Sequence, residues 1–299
     1  MRQRLIFALI ASSVAAVLGL SGVAQPMVEA EYLGTYKWSL PDDGFGGFSG
    51  LEVTADGNSF VAVSDRGSIV EGDFRRDGTE ITDITVTNRL HPLKNNKGGP
   101  LSRFQVDAEG LAVDEGGRIY VSFEAIHRVW SYRNADSEAA GLPRHDDFKK
   151  MQNNSSLEVL AIGPDGSIYT MPERSGAVEA PFPVYRYRDG EWTKPFAIPR
   201  RGPFLAVGAD FGPDGRLYLL ERALNSIFGF QTRVRRFSID GNRISDEKIL
   251  VDTPSGRHDN MEGLSVWQDA AGDLRLTMIS DDNFRMLQST EFVEYRLKQ

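Results

Sequence analysis

The chain has 299 residues, and its 42 acidic residues outnumber its 34 lysines and arginines, which gives a formal charge of −8. An acidic surface repels polyanions, so nucleic acid and anionic membrane surfaces are not expected as partners. The absence of cysteine excludes disulfides and a lipid anchor on an N-terminal cysteine.

The first residues have the pattern of a secretory signal peptide. Arg2 and Arg4 precede an apolar run from residue 5 to residue 20, which is short for a membrane span. Gly22 and Ala24 are the small residues that a signal peptidase requires, so residues 1–24 are predicted to be removed, with a second possible cut after Ala30. We therefore expect a periplasmic or secreted protein without a membrane anchor.

The rest of the chain repeats one unit five times. Each unit contains a short apolar segment, a tight turn and a second apolar segment, and turns such as Asp56-Gly57 and Asp165-Gly166 favour β-hairpins. One apolar position of the first segment recurs every 49 to 60 residues, at Leu51, Leu111, Leu160, Ala209 and Leu264.

Four antiparallel strands at this spacing predict an all-β fold, a five-bladed β-propeller that forms a single domain over residues 31–299. A sixth blade within residues 75–107 stays open, and a linear solenoid or two sandwiches would be the alternative architecture. The last unit has only three strands, whereas residues 32–38 form a strand with no unit of its own. We predict that this strand completes the last blade and closes the ring, which removes exposed sheet edges.

Acidic residues recur at one predicted rim of the ring. The start of strand one lies beside the end of strand two, because the two strands are antiparallel neighbours. Three units have Glu near the start of strand one, and every unit has a carboxylate at the end of strand two. These positions are Ser49, Glu109, Glu158, Val207 and Glu262 in strand one, and Asp65, Glu124, Glu173, Glu221 and Asp281 in strand two.

Basic residues accompany these carboxylates. Arg66, Arg174 and Arg222 directly follow the end of strand two, Arg285 lies in the corresponding part of the fifth unit, and Lys94 lies in a loop that reaches the same rim. Converging carboxylates have raised pKa values or share a cation, and oxygen ligands suit Ca²⁺, with Mg²⁺ as the alternative. The arginines can instead form ion pairs between blades or bind an anionic substrate such as a phosphate.

The glycine-rich stretch 44–50 has no following helix and no Lys-Ser or Lys-Thr pair, so it does not match a phosphate-binding loop. We interpret it as a flexible connection into the first unit.

Several motifs in this order and spacing resemble one family. Ser64-Asp-Arg-Gly67, Ala108-Glu-Gly-Leu-Ala-Val113, Leu219-Leu-Glu-Arg222, Asn260-Met-Glu-Gly-Leu264 and Ile279-Ser-Asp-Asp-Asn-Phe284 are similar to the phytase-like domain of bacterial "esterase-like activity of phytase" proteins. The resemblance implies a secreted propeller related to alkaline phytases, which are Ca²⁺-dependent phosphomonoesterases. The family's recurrent acidic positions correspond to Asp65, Glu109, Glu124, Glu221, Glu262 and Asp281, and its basic ones to Arg66 and Arg222.

The leading hypothesis is a monomeric hydrolase that acts on a small phosphate ester or other anionic ester with bound Ca²⁺. The alternatives are a lactonase of the gluconolactonase type and a non-catalytic propeller that binds a ligand or a protein. The assigned residues are Glu109, Glu124 and Glu262 for catalysis, Arg66, Arg222, Arg285 and Lys94 for substrate binding, and Asp65, Glu221, Asp281 and Asp282 for the metal.

Overall fold

The computed structural model describes residues 30–152, 157–225 and 228–298. The predicted signal peptide lies outside the described residues. Five four-stranded antiparallel sheets follow one another along the chain, as the repeats predict. Within the described residues, no helix has the length and apolar character needed to cross a membrane.

The strand bounds define the blades. The first blade contains β2 (Phe48–Val53), β3 (Ser59–Ser64), β4 (Ser68–Asp77) and β5 (Glu80–Pro92), and the second contains β6 (Ala108–Val113), β7 (Ile119–Phe123), β8 (Arg128–Tyr132) and β9 (Ala140–Gly141). A short 3-10 helix, Asp146–Lys150, precedes the third blade of β10 (Val159–Ile162), β11 (Ile168–Met171), β12 (Phe182–Arg188) and β13 (Glu191–Ile198). The fourth contains β14 (Leu205–Phe211), β15 (Leu217–Asn225), β16 (Gly229–Asp240) and β17 (Arg243–Asp252), and the fifth contains β18 (Asn260–Gln268), β19 (Leu274–Asp281), β20 (Glu291–Leu297) and β1 (Ala30–Lys37).

The N-terminal strand closes the ring as predicted. β1 pairs antiparallel with β20, with Ala30 opposite Leu297 and Tyr36 opposite Phe292. The open alternative of a sixth blade is not realised, because residues 75–107 form the end of β4, all of β5 and the connection to β6. The fifth blade is thus built from both ends of the described chain.

Apolar side chains pack between neighbouring blades. At the junction of the fifth and first blades, Trp38, Phe48, Phe60, Phe74 and Phe292 are buried, and their ring centroids are separated by 4.8 to 5.5 Å where they are in contact. Aromatic pairs at such distances add to the free energy gained by burying their area. The junction where the ring closes is therefore strongly packed.

A glycine before the recurring apolar position lets the innermost strands approach each other. A Cβ at Gly50 would lie 2.6 Å from the Cβ of Leu111, and one at Gly110 would lie 2.7 Å from the Cβ of Leu160. The recurring apolar side chains close the middle of the channel and leave a void of about 10 Å³ there. These side chains form the leucine plug: Leu51, Leu111, Leu160, Ala209 and Leu264.

Below the plug, the channel opens on the face that carries the Asp-Gly turns. The cavity there has a volume of about 890 Å³ and is lined by Val113, Phe211, Trp267 and the turns themselves. Since the plug blocks the passage, a ligand at the opposite rim can enter only from the solvent on that side.

Hydrogen bonds between innermost strands link the blades just below the plug. The Ser265 hydroxyl accepts a hydrogen bond from the Val53 amide at 2.9 Å, and Asp210 Oδ2 accepts one from the Val266 amide at 2.6 Å. These bonds satisfy backbone donors that have no partner within their own sheet. They fix neighbouring blades relative to each other next to the channel.

Candidate functional site at the channel rim

A β-bulge at the start of strand one positions the first set of acidic residues. The pairing register shifts between Ala108 and Leu111 in the second blade and between Met261 and Gly263 in the fifth. A bulge turns the extra side chain away from the regular alternation of the strand and often lies next to an active site. Glu109 and Glu262 occupy these bulges, and the first and fourth blades have Ser49 and Val207 at equivalent ones.

The register also corrects the alignment of strand two. Asp281 lies opposite Asn260 in the fifth blade, and the equivalent position in the fourth blade, opposite Leu205, is Arg222. Glu221 lies one residue earlier, opposite Ala206, so its side chain points to the other face of the sheet. The prediction of a carboxylate at this position in every blade is therefore wrong, because the fourth blade has an arginine there.

Eight carboxylates meet on the upper side of the plug, and we call them the acidic ring. They come from four of the five blades, with each residue within electrostatic reach of several others. The acidic ring consists of Asp65, Asp107, Glu109, Glu124, Glu158, Glu173, Glu262 and Asp281.

The tightest group in the ring belongs to the second blade. Asp107, Glu109 and Glu124 each place one carboxylate oxygen within 4.8 Å of the others. Asp107 is absent from the sequence predictions because it does not occupy a position shared by all the repeats. Its spacing to Glu109 equals that of Asn260 to Glu262, and this is the signal that would have revealed it.

Burial and mutual repulsion raise the pKa values of several ring members. Burial, followed by the charges of Glu262 and Asp107, raises the pKa of Asp65 to about 6. Burial and the charge of Glu262 likewise raise the pKa of Asp281 to about 8. Burial and neighbouring carboxylates raise the pKa of Glu109 well above its ordinary value. The ring therefore lacks enough positive charge of its own to hold all its members ionised.

Arg222 lies among these carboxylates. Its Nη2 is 3.3 Å from Glu173 Oε1 and 3.1 Å from Glu262 Oε1, and its Nη1 donates to the side-chain oxygen of Asn260. Asn260 in turn donates from Nδ2 to Glu262 Oε1 at 2.7 Å. Although burial opposes the charge of Arg222, the surrounding carboxylates raise its pKa, so the guanidinium stays charged. Arg222 and Asn260 together fix the position of the Glu262 carboxylate.

A comparison with protein families matches residues 43–284 to the Phytase-like family, which is described as "Esterase-like activity of phytase". The chain belongs to this family. The match covers the first four blades of the phytase-like propeller and strands β18 and β19 of the fifth, and it includes the whole acidic ring. No curated protein matches the chain in sequence.

Solved structures share the architecture at low sequence identity. An α-L-arabinofuranosidase from Podospora anserina in complex with cellotriose is 11% identical, with a TM-score of 0.52 over 89% of this chain and 96% of that one. A PQQ-bound aldose sugar dehydrogenase from Streptomyces coelicolor is 12% identical, with a TM-score of 0.46 over 89% and 98% of the two chains. A gluconolactonase from Xanthomonas campestris is 16% identical, with a TM-score of 0.44 over 85% and 73%. These similarities concern the fold alone.

The two aspartates at the end of β19 in the phytase-like propeller have different surroundings. Asp281 lies in the ring, where its Oδ1 accepts a hydrogen bond from the Asn283 amide at 2.6 Å. Asp282 instead accepts hydrogen bonds from the amides of Gly47 and Phe284, each at 3.0 Å, and from the Thr290 hydroxyl at 3.2 Å. Asp282 thus organises the loop, whereas Asp281 belongs to the acidic ring.

The glycine-rich stretch is part of this rim rather than a loose connection. A Cβ on Gly47 would lie 2.3 Å from Asp65 Oδ1, and one on Gly46 would lie 2.5 Å from Asp282 Oδ1. Both glycines have positive φ, which other residues rarely adopt. The interpretation as a flexible connection is therefore wrong, because the stretch packs directly on the two aspartates.

The structure separates the predicted substrate-binding residues. Arg66 is exposed at the rim, and its guanidinium carbon lies 3.1 Å from the centroid of the Phe284 ring. Arg285 is exposed in the loop after β19. Lys94 donates from Nζ to the backbone oxygen of Asp136 at 2.6 Å, so it links the first and second blades. Only Arg222 of these four lies within the ring.

Glu221 is outside the ring, in a network of the fourth blade that we call the blade-four ion-pair cluster. Its Oε2 accepts hydrogen bonds from Nε of Arg233 at 2.8 Å and from Nε of Arg235 at 2.7 Å. Arg235 also binds Glu247 at 2.8 Å, and Arg201 binds the other oxygen of Glu247 at the same distance. Both oxygens of Glu221 are occupied by arginines, so we do not include it among the proposed metal ligands.

Proposed function

We propose that this phytase-like propeller is a metal-dependent hydrolase of phosphate esters or other small anionic esters. The observation that carries this proposal is the acidic ring: among the described residues, eight buried or half-buried carboxylates surround the embedded Arg222 on the open side of a closed channel. Burying so many like charges is costly unless a cation compensates them.

The donor set of the ring fits a hard divalent cation. All its ligating atoms are carboxylate oxygens, which Ca²⁺ prefers and Mg²⁺ also accepts. Asp107, Glu109 and Glu124 would hold the ion, because their oxygens converge within 4.8 Å, and Asp65 and Asp281 extend the same oxygen-rich surface. When bound, such an ion polarises the ester oxygen and lowers the pKa of a water molecule.

Glu262 is the residue that we assign as general base. Burial raises its pKa above the ordinary value, toward the range in which a carboxylate accepts a proton effectively at neutral pH. Asn260 and Arg222 bind the same oxygen, Oε1, and thereby hold the carboxylate in one orientation. In this assignment Glu262 removes a proton from the attacking water, and Arg222 is a positioning residue.

We assign anion binding to Arg66 in the outer part of the rim. Arg66 is exposed, borders Asp65 and is held against the ring of Phe284. A guanidinium fixed in one plane can bind two oxygens of a phosphate at once. Arg222 is less suited to this task, since its Nη groups already bind Asn260, Glu173 and Glu262.

Metal analysis and hydrolysis assays test this function together. We expect the purified protein to contain stoichiometric Ca²⁺, and EDTA to remove both the metal and the hydrolysis of a panel that includes p-nitrophenyl phosphate, phytate and p-nitrophenyl acetate. Glu262→Gln should lower kcat by at least about 10²-fold and leave the metal content unchanged. Glu179→Gln is the matched control, because Glu179 is an exposed glutamate in a loop on the same rim.

Three outcomes would contradict the proposal. Equal and negligible hydrolysis of the whole panel with EDTA and with Ca²⁺ would favour a binding propeller without turnover. Hydrolysis restricted to sugar lactones would favour a lactonase. Full activity of Glu262→Gln would remove the assigned base.

We also propose that the protein acts in the periplasm or outside the cell. The support is the N-terminal pattern of two arginines, an apolar run and small residues at 22 and 24. N-terminal sequencing of the protein from a periplasmic extract should begin at residue 25, and recovery of uncleaved protein from the cytoplasm would contradict this location.

A further inference from the structure

Exposed apolar side chains are concentrated on the face that carries the acidic ring. The loops of this face connect strand two to strand three and each blade to the next. Among the described residues, the six most exposed large apolar side chains lie in these loops or, for Leu224, at the rim end of β15, with exposures from 56% to 102%. We call them the apolar crown: Phe104, Val178, Leu224, Phe228, Met286 and Leu287.

The distribution of the crown around the rim is significant. Its members come from the connection between the first two blades and from loops of the third, fourth and fifth blades. Single exposed apolar residues are normal on a protein surface, but a set gathered around one mouth indicates an interaction site. The most exposed pair, Met286 and Leu287, lies in the loop that follows the ring residue Asp281.

Exposed arginines lie between the apolar side chains. Arg103 lies beside Phe104, with its guanidinium carbon 4.9 Å from the ring centroid, and Arg285 immediately precedes Met286. Arg66 and Arg174 are exposed in the corresponding loops of the first and third blades. Alternating apolar and basic side chains complement a surface of phosphate groups above acyl chains.

The two faces of the propeller differ in charge. The turns between strands one and two, on the opposite face, carry mainly acidic residues, namely Asp56, Asp114, Glu115, Asp165, Asp214, Asp269 and Asp273, against Arg118 and Arg216. The net charge of −8 is therefore a poor guide to the rim, because much of the negative charge lies on the opposite face or inside the acidic ring. The exposed loops of this face therefore carry more positive charge than the whole-chain value suggests, although the acidic ring opens among them.

We propose that the rim face docks onto an anionic phospholipid surface, with the apolar crown among the acyl chains and the exposed arginines against the headgroup phosphates. Docking in this orientation places the acidic ring over the headgroups. The substrate class that follows is an amphiphilic phosphate ester, and this second step alone rests on the proposed function. Docking itself requires no turnover.

Vesicle sedimentation tests the docking. The full-length mature protein is mixed with vesicles of phosphatidylcholine alone or of phosphatidylcholine with phosphatidylglycerol, with Ca²⁺ and with EDTA. We expect sedimentation with the anionic vesicles, and a loss of at least about tenfold in the partition coefficient for Met286→Ser/Leu287→Ser. Ile249→Ser is the matched control, because Ile249 is 53% exposed but lies on β17, the outermost strand of the fourth blade.

Several results would overturn the proposal. The wild-type protein failing to sediment with anionic vesicles would do so, as would an equal loss in the Ile249→Ser control. Sedimentation velocity provides a further check: a dimer that becomes monomeric in Met286→Ser/Leu287→Ser, with unchanged vesicle binding, would make the crown a contact between copies of the chain.

Activity assays separate this proposal from the proposed hydrolase function. The crown variant should hydrolyse soluble p-nitrophenyl phosphate like the wild type but lose hydrolysis of phosphatidic acid in vesicles. Hydrolysis of the soluble ester with no vesicle binding would contradict the docking proposal and leave the proposed hydrolase function standing. Vesicle binding without hydrolysis of any ester would contradict the proposed hydrolase function and leave the docking proposal standing.

Discussion

The acidic ring and the blade-four ion-pair cluster both bury carboxylates. Arginines balance the charge of the cluster carboxylates, whereas the ring carboxylates lie mainly beside other carboxylates. In the cluster, Glu221 is fully buried and binds Arg233 and Arg235 through both oxygens. In the ring, burial and then the charges of Glu262, Asp107 and Glu124 raise the pKa of Glu109. A balanced buried charge is part of the structure, whereas the unbalanced charge of the ring is what supports the proposed cation site.

One strand, β15, contributes a residue to the cluster and the next residue to the ring. Glu221 and Arg222 are adjacent in β15, and the alternation of the strand sends one side chain into the blade and the other to the channel. A carboxylate next to a functional column can thus be purely structural. Substitutions on the two sides of this strand should separate the two roles.

The largest effect on stability is expected for Glu221→Gln. Removing the carboxylate leaves Arg233 and Arg235 buried with an unbalanced charge, which should lower the free energy of unfolding by about 3–5 kcal/mol. Ca²⁺ affinity, measured by calorimetry on the folded variant, should not change. A loss below about 1 kcal/mol in chemical denaturation would show that the cluster does not stabilise the blade.

A smaller loss is expected for Arg222→Gln, because this substitution removes the cation embedded in the ring. Without metal, the variant should lose about 2 kcal/mol, the value typical of a hydrogen bond to a charged group. Added Ca²⁺ should restore most of this loss, since it replaces the missing positive charge. If thermal unfolding shows the same loss with Ca²⁺ as with EDTA, the ring is not a cation site.

Glu109→Gln should have the opposite sign. Removing one ionisable group from the unbalanced set relieves repulsion, so at a pH where the set is ionised the metal-free protein should gain about 1 kcal/mol of stability. The same variant should bind Ca²⁺ at least about tenfold more weakly. Destabilisation of the metal-free variant, or unchanged Ca²⁺ affinity, would contradict the comparison between ring and cluster.

The unbalanced charge of the ring should also make stability depend on pH. Asp65 and Asp281 have folded-state pKa values of about 6 and about 8, above the ordinary 3.8. Between about pH 4 and pH 8 the folded state therefore binds more protons than the unfolded state, so the stability of the metal-free protein falls as pH rises. Its Tm should drop by about 10 °C or more across this window, and less so in Asp281→Asn. A Tm that rises with pH would mean that these groups are balanced in the absence of metal.

Much of the fold could be predicted from the sequence. The spacing of Leu51, Leu111, Leu160, Ala209 and Leu264 follows from the plug, since each blade has to supply one apolar side chain to the middle of the channel. The preceding glycines are required by the close approach of the strands. Packing therefore produced a repeating pattern, and the five blades and the ring closure followed from it.

The site was less predictable, because its features do not repeat. The bulges add a residue to strand one without any mark in the sequence, and a shift of one residue in strand two exchanged Glu221 for Arg222. Asp107 has no counterpart shared by all units, and only its spacing to Glu109, which matches that of Asn260 to Glu262, indicates it. The contacts of Gly46 and Gly47 with Asp282 and Asp65 join residues that are distant in the chain.

The leucine plug also constrains the order of events at the ring. With the channel closed by a void of only about 10 Å³, whatever reaches the acidic ring has to leave by the same mouth. Molecules that enter and molecules that leave therefore use the same opening, unlike in a tunnel with separate entry and exit. A product that remains at the opening excludes the next ligand, so ligand exchange at the acidic ring depends on the rim loops.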